Sequence, residues 1–377
     1  MKPEKKFEFS AVLNPEVVAQ IGQSIKKVWK PFERERFESK VSPKLASLAF
    51  KERANLIAQE LHEFLPTDFA EGGQILLDAF GDELGSSETA KDNVFLYMPY
   101  GVYVSWYGLE EKDFELATQF LYEMTKRFSA EFAIRPFLEK YPSRMLKKME
   151  QWVKDDNQHV RRLVSEGTRP RLPWAPRVTV YDDNYSVIIA LLATLRNDPE
   201  LYVRRSVANH LNDLTKDRKE LVIQTLEKWN KKTTAQIEWI TKHALRTLVK
   251  AGNSNALKLL GFSDSPQVEI GNFKVHQNEL KLGEKLEFSF EINSKTSELQ
   301  PLIVDYIIYF KKANGMQSPK VFKLKILDLA GNKSIKIQKK QLFKHFSTRI
   351  LYEGEHAVEL QINGQSYGRK AFELVFD

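Results

Sequence analysis

The sequence predicts a mainly α-helical protein in which a helical-repeat solenoid is followed by a small β-sandwich. Three observations support this fold class. Apolar residues follow a helical period up to about residue 260, that half contains a repeated segment, and an alternating period begins at about residue 265. The 377 residues suffice for two or three domains. We expect a helical domain over residues 1–262 and a β domain over residues 263–377.

In the first half, apolar residues recur at spacings of three and four, as one buried face of a helix requires. The segment KLASLAFKERANLIAQELHEFL follows this period from Lys44. A longer helical segment runs from Asp113 to Val153, with a break expected at Pro142. The linker GFSDSPQ, which begins at Gly261, contains the Gly, Ser and Pro typical of a domain boundary.

A repeat of about forty residues marks the helical half. DDNQHVRRLVSEG from Asp155 aligns with NDPELYVRRSVAN from Asn197, so the arginine pair at 161–162 matches the pair at 204–205. A weaker third copy begins at Glu238. The Asp–Asn or Asp–Pro pair turns and caps a helix, and the two arginines are expected to emerge together. Two helices per unit at this spacing are typical of HEAT-like repeats, which stack into a solenoid with one concave face.

The second half reads as short strands separated by turns. KLEFSFEINS, DYIIYFKKANG, KVFKLKILDLAGN, SIKIQKKQLF and AVELQING alternate apolar and polar residues, and ANG, AGN and NGQ are plausible turns. Several short strands within about a hundred residues predict a small β-sandwich of the immunoglobulin type.

Composition excludes several kinds of site. The chain has no cysteine, which rules out disulfides, thiolate nucleophiles and cysteine-based metal sites. The seven histidines show no metal-ligand spacing, and no P-loop, G-x-G-x-x-G or G-x-S-x-G motif occurs, so we expect no metal and no nucleotide cofactor. The N-terminus MKPEKKFEFSAVLN lacks the apolar core of a signal peptide, and no apolar run could span a bilayer. These features predict a cytoplasmic protein without a membrane partner.

The segment VRRLVSEGTRPRLPWAPR, residues 160–177, joins a helix end to a loop rich in arginine and proline. Arg162 and Glu166 lie four residues apart and share a helix face. Gly167 is expected to end the helix in a left-handed conformation. In one interpretation, Arg162 and Arg169 hold Glu166 in an ion-paired cap that fixes the loop. In the other, arginines that face an anionic partner hold a functional carboxylate.

Two other carboxylates and a tryptophan also have both structural and functional interpretations. Asp213, in the second repeat, lies on a solvent-exposed helix surface, caps the following turn, or belongs to a site. Glu131, in RFSAEFAIRPF, fits a first-turn acid of a helix that begins after Ser129. Trp174 lies on the proline-rich loop, where core packing explains it poorly, and an aromatic ring beside a carboxylate can hold a cation.

HVRRLVSEGTRPRLPWA resembles the AlkC branch of the HEAT-like-repeat DNA alkylation repair proteins, through the pattern R-R-L-x-S-E-G-x-R-P-R-L-P-W-A. The second repeat, from Asp198 to Asp213, is also similar to that family, and the resemblance covers roughly residues 5 to 262. Part of this branch carries a C-terminal immunoglobulin-like domain, in agreement with the β half. The resemblance implies a monofunctional DNA glycosylase that removes cationic alkylated bases, chiefly 3-methyladenine, from duplex DNA.

The resemblance also implies roles for individual residues. Glu166 and Asp213 would be the catalytic acids, and Glu131 would contribute to the site. The residues expected to bind DNA are Arg162, Arg169, Arg171, Trp174 and Arg205. The carboxylates would stabilise an oxocarbenium-like transition state and position water at a shallow site without a deep base-flipping pocket. The net charge of +7 is compatible with phosphate binding.

Two other functions stay open as hypotheses. A non-catalytic helical-repeat protein that binds damaged or bent DNA would share the fold and charge, and many solenoids are protein–protein scaffolds. Salt-dependent binding to duplex DNA would separate the first two functions from the scaffold. The lysine-rich strands are either solvated sheet edges or a second DNA contact. A monomer suits such a clamp around DNA.

Overall fold

A computed structural model of the chain describes residues 12–85, 94–346 and 349–376. The sequence predicts no signal peptide in the N-terminal segment MKPEKKFEFSAVLN. Residues 1–11 of that segment lie outside the described residues. A helical half precedes a strand-rich half, so the predicted fold class is confirmed. No helix in the described ranges is long and apolar enough to cross a membrane.

The helical half consists of short helices joined by turns. In chain order they are α1 Pro15–Val28, α2 Arg34–Val41, α3 Phe50–Phe64, α4 Phe69–Asp78, α5 Tyr97–Tyr107, α6 Phe114–Thr125, α7 Arg135–Lys140, α8 Pro142–Trp152, α9 Gln158–Gly167, α10 Ser186–Leu195, α11 Leu201–Leu214, α12 Lys219–Asn230, α13 Ala235–Ala244, α14 Arg246–Lys250 and α15 Ser254–Leu259. The expected break at Pro142 separates α7 from α8, because proline is accepted at the first position of a helix but not in its interior.

The repeated segments have matching local structures at the starts of α9 and α11. Nη1 of Arg161 donates to the carbonyls of residues 155 and 156, at 2.8 Å each. Nη1 of Arg204 donates to the carbonyls of residues 198 and 199, at 2.6 and 2.7 Å. The first arginine of each pair therefore turns back onto the loop before its own helix. The expectation that both arginines emerge together is wrong, because the first one holds the turn that starts the repeat.

Helix α9 carries the centre of the predicted site. Asn157 caps the start of the helix, because its Oδ1 accepts from the backbone N–H of His159 at 2.9 Å. The helix packs against α6, α8, α10 and α11. The expectation of a left-handed Gly167 is wrong, because Gly167 is the last helical residue and Thr168 follows with φ −87°. A Cβ on Gly167 would lie 2.8 Å from Cγ2 of Ile134, so the glycine permits close packing at this helix end.

The strand-rich half is a sandwich of two sheets. Its strands are β1 Val268–Val275, β2 Glu279–Lys281, β3 Lys285–Ser294, β4 Gln300–Lys311, β5 Gln317–Leu329, β6 Ser334–Leu342, β7 Gly354–Ile362 and β8 Gln365–Val375. One sheet has the order β1-β3-β6 and the other has the order β2-β8-β7-β4-β5. Neighbouring strands are antiparallel except for β2 and β8. Apolar side chains from both sheets fill the core, among them Phe288, Tyr306 and Leu360.

The predicted strands correspond to β3 through β7, and the three predicted turns are present. Gly315, Asn332 and Asn363 have φ values of 77°, 55° and 47°, as tight turns between strands require.

Contacts within the chain divide it into two compact units. The first comprises Met1–Asp217 with Lys232–Ile240, and the second comprises Arg218–Lys231 with Thr241–Asp377. The second unit therefore holds helical residues as well as the sandwich. The domain boundary between residues 262 and 263 stays a prediction.

Candidate active site

Five charged side chains of alternating sign form one ion-pair network in the first unit. In order they are Glu131, Arg162, Glu166, Arg169 and Asp213. Glu131 lies in the turn before α7, Arg162 and Glu166 lie on α9, Arg169 lies in the loop after α9, and Asp213 lies on α11. The network thus joins both repeats to the preceding turn, and it contains one more carboxylate than guanidinium.

Each arginine of the network is shared by two acids. Nη1 of Arg162 lies 2.5 Å from Oε2 of Glu131, and its Nη2 lies 3.5 Å from Oε1 of Glu166. Nη1 of Arg169 lies 2.6 Å from the same Glu166 oxygen, and its Nε lies 2.8 Å from Oδ2 of Asp213. The two arginines expected to hold Glu166 therefore do so, and each also holds a second acid.

The network is largely buried, and its central carboxylate is ionised. Glu166 is 5% exposed and Asp213 is 7% exposed, so the interpretation of Asp213 as solvent-exposed helix surface is wrong. Burial by itself would raise the pKa of Glu166. The charges of Arg162 and Arg169, with a hydrogen bond from Ser206, outweigh burial and lower that pKa below its ordinary value. Glu166 is therefore a carboxylate at neutral pH.

A buried hydrogen-bonded layer supports Glu166 from α11. Oγ of Ser206 donates to Oε2 of Glu166 at 2.5 Å and lies 3.0 Å from Oγ of Ser165. Nδ1 of His210 lies 2.9 Å from the carbonyl of Ser165, which can only accept, so Nδ1 carries the proton. Nε2 of His210 then accepts from the hydroxyl of Tyr185 at 2.8 Å. Burial lowers the pKa of His210 to about 4, which keeps this ring neutral.

Glu131 lies in a turn between two helices, and the helical spacing of the sequence around it does not predict this turn. Because Pro136 is tolerated only in a first turn, α7 begins at Arg135 and Glu131 remains in the preceding turn. The interpretation of Glu131 as a first-turn acid is therefore wrong. Oγ of Ser129 donates to Oε2 of Glu131 at 2.9 Å, and Nη1 of Arg162 lies 2.9 Å from the same hydroxyl.

Arg135 holds the loop that follows α9. Its Nη1 donates to the carbonyls of Gly167 at 3.0 Å and Arg169 at 2.9 Å, and its Nε donates to the carbonyl of Pro176 at 2.9 Å. Burial lowers the pKa of this guanidinium to about 10. Arg135, like Ser206 and His210, is absent from the predicted site residues. The serine and histidine lie inside the matching second repeat, whereas only the three-dimensional contacts identify Arg135.

The remaining predicted residues lie outside the ion-pair network. Arg171 pairs with Asp217, with Nε to Oδ2 at 3.1 Å and Nη2 to Oδ1 at 2.8 Å. Arg205 is exposed on α11, and among the residues that the structure describes it has no carboxylate within 4.0 Å. Trp174 is 60% exposed and has a left-handed φ of 66°. Lys51 donates to the Trp174 carbonyl.

A cavity of about 270 Å³ opens beside the network. Its lining is mainly apolar and comes mostly from α5, α6, α7 and the turn before α7, with contributions from α3 and the loop after α9. It includes the half-exposed ring of Trp106. Ser129 and Arg135 line this cavity and also contact residues of the site. Within the described parts of the chain, no group of three His, Asp or Glu side chains could hold a metal ion.

Comparisons with known proteins match both halves of the chain. A family described as "DNA alkylation repair enzyme" matches residues 116–248. A second family, described as the C-terminal Ig-like domain of the uncharacterised protein YhaZ, matches residues 269–376. The YhaZ protein of Bacillus subtilis (strain 168) is 33% identical over 359 residues, which cover 95% of this chain and 97% of that protein.

One solved structure is similar along nearly the whole chain. It is the Pseudomonas fluorescens alkylpurine DNA glycosylase AlkC bound to DNA that contains an abasic site analog. The identity is 35%, the TM-score is 0.89, and the match covers 98% of this chain and 100% of that one. The similarity thus extends over the ion-pair network and the sandwich together.

Proposed function

The chain belongs to the family of AlkC-like DNA alkylation repair glycosylases, and from that premise we propose that it hydrolyses the N-glycosidic bond of cationic alkylated bases, chiefly 3-methyladenine, in duplex DNA. The observation that carries this proposal is the ionised Glu166 within a network that has one more acid than arginine. A site with this excess of negative charge favours a bound cation. Because Glu166 is already ionised, it cannot act as a general acid.

The lesion explains why an ionised acid suffices. Alkylation at N3 makes the base a cation, so it departs as a neutral molecule and needs no proton from a general acid. Positive charge then develops on the sugar, as in glycoside hydrolysis. Carboxylates fixed beside that charge stabilise the transition state without reorganising, and they can orient a water molecule for attack at the anomeric carbon.

The proposed roles follow the positions of the acids in the network. Glu166 and Asp213 stabilise the sugar cation and position water, and Glu131 contributes by holding Arg162. In this proposal, Arg162 and Arg169 stay beside the acids and contact phosphates of the bound DNA. Arg171, Arg205 and Trp174 contact the DNA beside the lesion.

The test is release of 3-methyladenine from methylated duplex DNA by the full chain. We expect release by the wild type and a loss of about 100-fold or more in Glu166→Gln and Asp213→Asn, because each removes a charge that acts in the transition state. Duplex binding by both variants should remain within about threefold of the wild type.

Asp217→Asn is the matched control, since it also removes one carboxylate that pairs with a loop arginine. It lies outside the network and should leave base release nearly unchanged. Wild-type protein that binds duplex DNA in a salt-sensitive manner but releases no base would refute the enzymatic proposal and favour a non-catalytic binder of damaged DNA.

A further inference from the structure

Ser206 occupies a position that the first repeat fills with an apolar residue. When the two arginine pairs are aligned, Ser206 of α11 matches Leu163 of α9. Both side chains are buried. A leucine needs no polar partner at such a position, whereas a buried hydroxyl is costly unless it is hydrogen-bonded. The packing of the repeats alone therefore does not explain a serine here, and its hydrogen-bond partners do.

The hydroxyl of Ser206 joins α11 to the central acid of the network on α9. Its Oγ lies 2.5 Å from Oε2 of Glu166 and 3.0 Å from Oγ of Ser165. An ionised carboxylate can only accept and a hydroxyl carries one proton, so Ser206 donates to Glu166 and accepts from Ser165. A hydrogen bond to an ionised acceptor is stronger than one between neutral groups.

This hydrogen bond holds the carboxylate oxygen that the arginines leave. Both guanidiniums lie on Oε1 of Glu166, with Nη1 of Arg169 at 2.6 Å and Nη2 of Arg162 at 3.5 Å. Oε2 accepts from Ser206 instead. The last side-chain torsion of a glutamate has no sharp preference of its own, so contacts on both oxygens decide the orientation of the carboxylate. Ser206 completes that orientation.

The same hydrogen bond favours the ionised form of Glu166. Burial alone would raise the pKa of this carboxyl, whereas the charges of Arg162 and Arg169 and the hydrogen bond from Ser206 lower it. Ser206 is the uncharged member of this set. A substitution at Ser206 therefore leaves the number of charges in the network unchanged, which separates its effect from that of the arginines.

We propose that Ser206 is a positioning residue for base release, whose hydroxyl holds the Glu166 carboxylate in the orientation that stabilises the developing sugar cation. This inference rests on the proposed glycosylase function. Ser206 acts through Glu166 and does not itself contact the base or the sugar. A carboxylate that must reorient during the reaction stabilises the transition state less, so loss of the hydroxyl slows the chemical step without weakening DNA binding.

The experiment is single-turnover release of 3-methyladenine from methylated duplex DNA by the full chain. We expect Ser206→Ala to lower the rate about tenfold, as the loss of one hydrogen bond to a charged group would. Duplex binding should stay within about threefold of the wild type. Ser206→Thr keeps the hydroxyl and should recover most of the rate. Thr118→Val is the matched control, because it removes a buried hydroxyl that donates within α6 and should leave the rate unchanged.

A second measurement needs no DNA. The carboxyl ¹³C resonance of Glu166 in the free protein, assigned with Glu166→Gln, should move in Ser206→Ala and stay in place in Thr118→Val. An unmoved resonance in Ser206→Ala would overturn the proposal whether or not the protein releases base.

The rates distinguish this proposal from the proposed function. Wild-type protein that releases no base would mean that the proposed function fails. Base release that is equal in wild type and Ser206→Ala would overturn the positioning role alone. A similar loss in Ser206→Ala and Ser206→Thr would also overturn it, because the effect would then not depend on the hydroxyl.

Discussion

At the scale of single residues, Arg169 couples the acids of α9 and α11. It contacts Glu166 through Nη1 and Asp213 through Nε, and all three side chains are less than a tenth exposed. Removing one partner from a buried ion pair leaves an uncompensated charge, which is costly because water cannot replace the lost partner. Glu166 and Asp213 therefore share one cationic partner, Arg169.

We expect Arg169→Met to lower the free energy of unfolding by about 3 kcal/mol, because it leaves buried carboxylates without their shared cation. Urea denaturation of wild type and variant measures this change. Arg205→Met, the control on exposed α11 surface, should stay within about 0.5 kcal/mol of wild type. If both variants unfolded at the same urea concentration, the pairing of Arg169 would contribute nothing to stability.

His210 makes the stability of the first unit depend on pH. Its pKa is about 4 in the fold, against an ordinary 6.5, so the unfolded chain binds the proton more readily between these values. Stability is complete above the ordinary pKa and is lost as pH falls toward the folded pKa. We expect a loss of about 2 kcal/mol between about pH 7 and pH 5 from this group.

Urea denaturation of the full chain at the two pH values measures that loss. His210→Asn, which cannot titrate there, should be less stable than wild type near pH 7 but should lose about 2 kcal/mol less on acidification. A pH dependence that is the same in wild type and variant would contradict a neutral buried ring.

At the scale of secondary-structure elements, the end of α9 is fixed by its fit against Ile134. We expect Gly167→Ala to destabilise the protein by about 1–3 kcal/mol, because its Cβ would lie 2.8 Å from Cγ2 of Ile134. Gly85→Ala is the control, since a Cβ there meets no atom within 4 Å. Thermal unfolding compares the two. Equal melting temperatures would mean that α9 has room to shift.

The elements also show where sequence patterns succeed and fail. The repeat correctly aligns Arg161 with Arg204, which make matching hydrogen bonds, but its pattern does not predict that these bonds go to the loop before each helix. The interruption that holds Glu131 is hidden, because its apolar spacing continues that of the helices on either side. The sequence pattern does not predict strand β8, because much of its surface is exposed and its alternation of buried and exposed residues is weak.

At the scale of the whole molecule, composition and periodicity predict the helical and β halves because burial imposes periods of 3.6 and 2 on a sequence. The acids of the network lie on segments with recognisable sequence patterns. The contacts that join these acids to other residues have no such pattern, because Arg169 and Asp213 are 44 residues apart and the Ser206–Glu166 contact spans 40 residues. Such contacts depend on how helices stack, which no local spacing records.

The proposed boundary between residues 262 and 263 can be tested with two fragments. The segment before it packs on the sandwich within the second unit: a Cβ on Gly252 would lie 2.8 Å from the carbonyl oxygen of Gly364. We expect the fragment 241–377 to exceed the fragment 263–377 in unfolding free energy by about 2 kcal/mol, because the shorter one exposes apolar side chains such as Ile303. Urea denaturation measures both.

Folding of the shorter fragment would support the boundary, and failure of the shorter fragment alone would move the boundary to about residue 241. Equal stability of both fragments would show that the helical segment contributes no cover to the sheet.

The contacts of Arg135 have a consequence for the thermodynamics of binding. They join both ends of the loop after α9, so the segment that carries Trp174 is ordered before any partner arrives. Ordering a free loop on binding would cost about 1–2 kcal/mol of conformational entropy for each residue fixed. Here that cost falls on folding instead. In a binding assay, a substitution at Arg135 would therefore weaken binding as the loss of a direct contact would, although the Arg135 side chain lies buried beneath the loop.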